Sequence, residues 1–195
     1  IKEKQRSVVP NLTIMDDWNI CLPQLRQLAA LAIIMSRKYD VMITNPPYLG
    51  SSSLETSCKE YAAKEYPNSK TDMFAMFMET NFIKKNGYLS MINMHNWMFV
   101  DSYFELRSQI LHDRIVYSLV HHGIKAFETI GNDVVQTCSF IMRNNLIDNF
   151  VSKYIRLTDV KDFYRKQKEF FNKDYYYEIK SQYLLRTLTK PFAYW

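Results

Sequence analysis

The sequence predicts an α/β fold whose strands and helices follow the order of the second half of a doubly wound sheet, and three observations carry that prediction. Short apolar segments at 39–44, 88–93, 115–121 and 134–142 read as buried strands. Apolar residues recur at helical spacing in 71–83 and 101–112, between the first three of them. Strand, helix, strand, helix, strand, strand is therefore the order. Only four glycines are present, at 50, 87, 123 and 131, so no glycine-rich nucleotide loop can be built from this chain. The pattern is Rossmann-like, with its first half missing.

Each element has a local cause. Residues 8–15, VVPNLTIM, suit a short strand before Asp16 and Asp17. From about Leu22 to Lys38, Leu25, Leu28, Ala29, Ala32 and Ile33 lie at helical spacing with Pro23 near the start. The strand at 39–44 ends abruptly at two prolines, neither of which can donate to a β ladder. Residues 49–70 are polar and serine-rich, a loop with a helical turn. Thr71-Asp72 opens a helix running to Ile83, closed by Lys84-Lys85-Asn86-Gly87, basic residues followed by glycine. The last two strands flank a loop holding Gly123 and Gly131. Residues 150–195 are rich in tyrosine and lysine with little periodicity and read as an excursion from the core. Three regions result: a helical lead-in at 1–38, a core subdomain at 39–149 and a connector at 150–195.

Composition narrows the class. The 195 residues are 47% hydrophobic and 15% aromatic, enough for one globular core. No apolar run is long enough to span a bilayer and the start lacks a signal-peptide pattern, so a cytoplasmic protein without membrane attachment is expected. Cys21, Cys58 and Cys138 are far apart, without metal-ligand spacing, and read as reduced thiols. A net charge of +5 permits a polyanionic partner. The start at Ile1 and the apolar Ala193-Tyr194-Trp195 end suggest a piece of a larger chain.

The strongest signal is Asn45-Pro46-Pro47-Tyr48, a rigid polar and aromatic turn after a short apolar strand, where α/β proteins place ligands. An exocyclic amine on an aromatic ring is a poor nucleophile because its lone pair is delocalised. Two acceptors placed out of the ring plane favour pyramidal nitrogen and free the pair. The Asn45 side-chain oxygen and the Pro46 carbonyl are two such acceptors, and proline fixes the direction of the carbonyl before substrate arrives. Tyr48 can stack on a base extruded from a duplex, worth roughly 1–3 kcal/mol. A turn that happens to contain two prolines is the bland account, and the preceding strand with Asp40 weighs against it.

At this point the chain resembles a family. Residues 39–48, YDVMITNPPY, look like motif IV of the S-adenosylmethionine-dependent amino-methyltransferases, in the form typical of adenine-N6 DNA methyltransferases. "TDMFAMFMETNFIKKNGYLSMINMHNW" is similar to the helix and strand that follow in the fused type IIG restriction-modification enzymes. "YFELRSQILHDRIVYSLV" and "GIKAFETIGNDVVQTCSFIMRN" continue that order, while "NPPYLGSSS" and "KPFAYW" resemble the adenine-specific methyltransferases of BREX (phage growth limitation) defence systems. Residues 39–195 are covered, and only motif IV is specific by itself.

The resemblance implies a doubly wound methyltransferase sheet, S-adenosylmethionine as cofactor, double-stranded DNA as partner and other subunits of a defence system. It assigns Asn45, Pro46, Pro47 and Tyr48 to catalysis, with Asn45 also against the cofactor. Tyr48 and Phe127 would pack against the flipped adenine, and Phe77 against the cofactor's adenine ring; an ordinary core phenylalanine explains Phe77 equally well. Departures are plain: the glycine-rich motif is absent, and Asp16 and Asp17 are the only acidic candidates for the motifs before motif IV, a turn or helix cap accounting for them as well. A target-recognition region is also missing, so residues 150–195 would lead toward one and the chain alone should be inactive.

Other residues carry weaker signals. His121-His122 read as structural or solvent-facing, since adjacent strand residues point to opposite faces and methyl transfer needs no base beforehand. His95-Asn96-Trp97 borders the cleft in this family, with Trp97 packed. KDFYRKQK, residues 161–168, suits a phosphate backbone or a solvated helix face. The same tetrapeptide serves guanine-N2 methyltransferases of RNA and glutamine methyltransferases of proteins, and a non-catalytic nucleic-acid-binding module of the same fold is the remaining alternative. The long insertion after the motif and the tyrosine-rich tail favour DNA adenine.

Overall fold

The structure, a computed structural model, describes residues 14–127, 135–180, 183, 184, 186 and 192–195. Two units divide the chain, Ile1–Arg37 and Lys38–Trp195. The described part of the first contains α1 (Ile14–Ser36), which starts earlier than the periodicity from Leu22 suggests. Pro23 lies inside it, and a proline lacks the N–H for one rung only. Of the strand expected at 8–15, the first six residues lie outside the described ones, and Ile14 and Met15 open α1 instead.

The second unit carries a six-stranded sheet. Its elements in order are β1 (Tyr39–Thr44), α2 (Thr56–Glu65), α3 (Met73–Glu79), β2 (Ile83–Met94), α4 (Phe104–Asp113), β3 (Ile115–Gly123), β4 (Thr137–Arg143), β5 (Val151–Arg156), α5 (Phe163–Glu169) and β6 (Tyr176–Lys180). The sheet order is β1-β2-β4-β3-β5-β6. β1 pairs parallel to β2 and β3 parallel to β5, while β4 runs antiparallel between β2 and β3 and β6 runs antiparallel beside β5. β1, β2, β3 and β5 therefore share one direction, and their carboxyl ends form one edge of the sheet. The α/β alternation read from the sequence is what the structure shows.

Three local readings change, the first being residues 49–70, read as a loop with a helical turn, which hold the ten-residue α2. The segment Lys84-Lys85-Asn86-Gly87 does not close a helix: α3 ends at Glu79, and the four residues form a bulge inside β2. Tyr39 pairs with Ile83 and Val41 with Tyr88, so two steps along β1 match five along β2. Asn86 takes φ 68°, and a Cβ on Gly87 would lie 2.7 Å from the Asp40 carbonyl oxygen, so the bulge needs glycine where the strands meet. Residues 150–195, read as leaving the core, add β5 and β6 to the sheet through Lys180. Alternating burial along β5 places Ser152 and Tyr154 inside, which is what commits the strand to the sheet.

The main core gathers Phe74 and Met78 from α3, Leu89 and Met91 from β2, Leu106 from α4 and Phe140 from β4. Trp97, Phe192 and Tyr194 join it, while Ala193 and Trp195 stay exposed, and the Phe192 amide donates to the Met98 carbonyl at 2.6 Å. Arg107, buried on α4, donates to the carbonyls of Trp97 at 2.9 Å and Val100 at 2.6 Å, fixing the chain that follows β2. No helix of the described residues is long and apolar enough to cross a membrane.

Candidate active site

Proline chemistry ends β1 at Thr44 and starts the site. Along the four residues that follow, Asn45 is exposed, Pro46 buried, Pro47 exposed and Tyr48 half-buried. Pro46 thus roots the turn in protein while the Asn45 amide faces outward, without a hydrogen-bond partner among the described residues.

Three anchors fix the rest of the loop. Tyr48 donates its hydroxyl to the Ile92 carbonyl on β2 at 3.3 Å, and its ring meets Phe74 of α3 edge-on, with centroids 6.3 Å apart. Burial, helped by the neighbouring Cys138 thiol, pushes the Tyr48 phenol up to about 12, so it stays a donor at any ordinary pH. Leu49 donates its amide to Asp72 Oδ1 at 3.2 Å and accepts from the Met73 amide at 3.0 Å. The Asp72 side chain also caps α3 by accepting from the Phe74 amide at 3.2 Å. Desolvation raises the Asp72 carboxyl, outweighing the amides that favour its charged form.

The other residues expected at the site fall as follows. Phe77 is half-buried on α3, one turn beyond the Phe74 ring that Tyr48 touches, and packs against the main core. Phe127 is half-buried in the loop that leaves β3 at the same carboxyl edge of the sheet, just before residues outside the described ones. Asp16 and Asp17 fall in α1. The tetrapeptide and α3 are directly joined; Phe127 shares their edge of the sheet.

His95, expected to border the cleft, and His121, read as structural or solvent-facing, form a polar cluster with Tyr194 along this edge. His121 is buried, with Nε2 2.7 Å from His95 Nδ1 and Nδ1 2.9 Å from the Tyr194 hydroxyl. Tyr194 is also buried and needs an acceptor for its proton, so it donates to His121 Nδ1 and His121 Nε2–H in turn donates to His95. Burial, then the neighbouring His95 and Arg156, push His121 down to about 3. His122 points to the other face, 2.9 Å from Ser139 Oγ, and burial with Lys166 pushes it down to about 4. Among the described residues no group of three or more metal-ligating side chains forms a site.

The stretch KDFYRKQK supplies all of α5 but its last residue, capped by Asp162 accepting the Arg165 amide at 2.7 Å. Neither expected role describes Lys166, which turns inward and donates to the carbonyls of His122 and Ile124. Nothing in the local sequence separates it from its exposed neighbours; only the carbonyls more than forty residues away do.

Comparison with known proteins places the chain in a family. The chain is 36% identical over 180 residues to the adenine-specific methyltransferase PglX of Lacticaseibacillus casei (strain Zhang), covering 88% of this chain and 15% of that protein. It is 32% identical over 176 residues to the adenine-specific methyltransferase BrxX of Escherichia coli O9:H4 (strain HS), covering 89% and 14%. The chain thus spans about one seventh of the length of these relatives. In fold it is similar to the methyltransferase subunit of a type I restriction-modification system from Streptococcus thermophilus, with a TM-score of 0.52 at 12% identity over 77% of this chain and 36% of that one. The model of the Eco57I restriction-modification methylases matches residues 11–127, more than half of the chain, and the chain belongs to that family.

Proposed function

We propose that this chain forms the catalytic half of a DNA methyltransferase that moves a methyl group from S-adenosylmethionine to adenine N6 in double-stranded DNA, within a cytoplasmic restriction-modification or phage-defence system. The observation that carries this reading is the outward Asn45 amide beside a buried Pro46 at the carboxyl end of a parallel strand. Asn45 Oδ1 and the Pro46 carbonyl accept the two N–H groups of the target amine and hold its nitrogen pyramidal. Pro47 stiffens the turn and Tyr48, half-exposed and pinned at its hydroxyl, offers a ring face to the extruded base. The proton leaves after the nitrogen becomes positive, so no side chain serves as a base.

The cofactor, when bound, supplies an electrophilic methyl group. Asn45 and Phe77 suit one wall of its pocket, since α3 is tied to the motif loop through Asp72. A glycine-rich turn for the methionine end is not among the residues of this chain. That the PglX and BrxX relatives are adenine-specific methyltransferases supports adenine, and their greater length accommodates the recognition region toward which residues 150–195 would lead.

Modified-base sequencing of host DNA tests the reading. N6-methyladenine should be present with the wild-type full-length protein and lost with Asn45→Ala at unchanged protein level. N4-methylcytosine in its place, or methylated RNA or glutamine with unmodified DNA, would overturn it.

A further inference from the structure

Lys166 sits on α5 with 5% of its surface exposed, although Arg165, Gln167 and Lys168 around it are exposed. Taking an ammonium out of water is costly unless strong acceptors replace the water. Here the acceptors are two backbone carbonyls, those of His122 and Ile124. The stem of the lysine lines an apolar cleft of about 310 Å³ together with Leu157, Phe163 and Phe170. A lysine serving only as a solvated charge would not be placed this way.

The backbone it grips is itself unusual. Gly123 takes φ +67° and Lys125 φ 55°, both left-handed, and they alternate with the two gripped carbonyls. A Cβ on Gly123 would approach the Thr158 Cα to 3.1 Å, so the chain is pressed against the turn after β5. A sharply curved segment, 122–125, is thus held both by packing against Thr158 and by the ammonium, and Ala126 and Phe127 follow it directly. Such a conformation persists where the surroundings over-determine it.

We propose that Lys166 is a positioning residue for the target base: its grip on the 122 and 124 carbonyls fixes the turn that presents Phe127 to the extruded adenine. This rests on the reading of Phe127 as the aromatic that packs against that base. Lys166 touches neither substrate nor cofactor, and acts through the loop.

The test is a double-mutant cycle in the full-length protein, with unmethylated genomic DNA as substrate and transfer of a labelled methyl group scored per folded molecule. Phe127→Ala and Lys166→Met should each lower kcat about tenfold, and the double variant should be no worse than Phe127→Ala alone, because both remove one unit. Lys166→Arg, which keeps donors for both carbonyls, should restore most of the activity. Losses that multiply in the double variant would overturn the proposal. So would a Lys166→Met protein that melts earlier but methylates normally per folded molecule while Phe127→Ala is impaired. A silent Phe127→Ala would instead remove the reading on which the proposal stands. If Lys166→Met does not fold, Lys166→Gln, whose shorter amide reaches one carbonyl, takes its place in the same cycle with the same outcomes.

Discussion

Leu49 and Phe74 donate their amides to the same oxygen, Asp72 Oδ1, each at 3.2 Å. One carboxylate therefore joins the residue after Tyr48 to the first turn of α3, and the motif loop cannot shift without uncapping the helix. Replacing Asp72 with Ala should cost about 1–2 kcal/mol of stability and lower methylation per folded molecule. Asp72→Asn keeps the accepting oxygen and drops the charge that burial disfavours, so it should be close to neutral. Thermal melts and methyl transfer below both transitions check this. Equal losses in the two variants would show that the charge, not the oxygen, holds the loop.

The hydroxyl of Tyr48 has a job beyond the ring's. Its bond to the Ile92 carbonyl is long at 3.3 Å, so Tyr48→Phe should cost about 0.5–1 kcal/mol, about two- to fivefold in rate. Tyr48→Ala also removes the edge contact with Phe74 and the stacking face, and should lose about ten- to a hundredfold in methyl transfer. A duplex with an abasic partner opposite the target adenine removes part of the extrusion cost, and Tyr48→Ala should gain more from it than wild type does. Equal gains would return Tyr48 to a packing role.

Acid should loosen the sheet at β3. An unfolded histidine takes up a proton near pH 6.5, whereas His121 resists until about 3 and His122 until about 4. His121 faces His95, Arg156, Lys166 and the Tyr194 hydroxyl, none of which compensates an added positive charge. Between pH 6.5 and about 4 the unfolded state binds more protons, so stability falls as pH falls, by up to about 1.4 kcal/mol per pH unit for each histidine. Exchange protection of β3 and β4 amides in the full-length protein, corrected for intrinsic rates, should drop from pH 7 to pH 5. His121→Gln and His122→Gln should each flatten the slope; an unchanged slope would rule the pair out as its source.

Proline and periodicity made part of this protein legible without coordinates. Two prolines cannot continue a ladder, so the end of β1 and the position of Asn45 to Tyr48 follow from five or six residues of sequence. The apolar spacing of 101–112 located α4, and the alternation of strand and helix gave the fold class. What the sequence could not decide depends on contacts between distant segments. Lys84 to Gly87 look like a helix stop until β1 pairs on both sides of them and turns them into a bulge. The tyrosine-rich tail has no clean period of its own, and β5 and β6 exist because β3 offers an edge to pair with. Lys166 and His121 are ordinary polar letters in the chain. Their burial was set by carbonyls 44 and 42 residues away for the lysine and by a tyrosine 73 residues away for the histidine, because only tertiary packing can remove water from a charge or a ring nitrogen and supply the partner that replaces it.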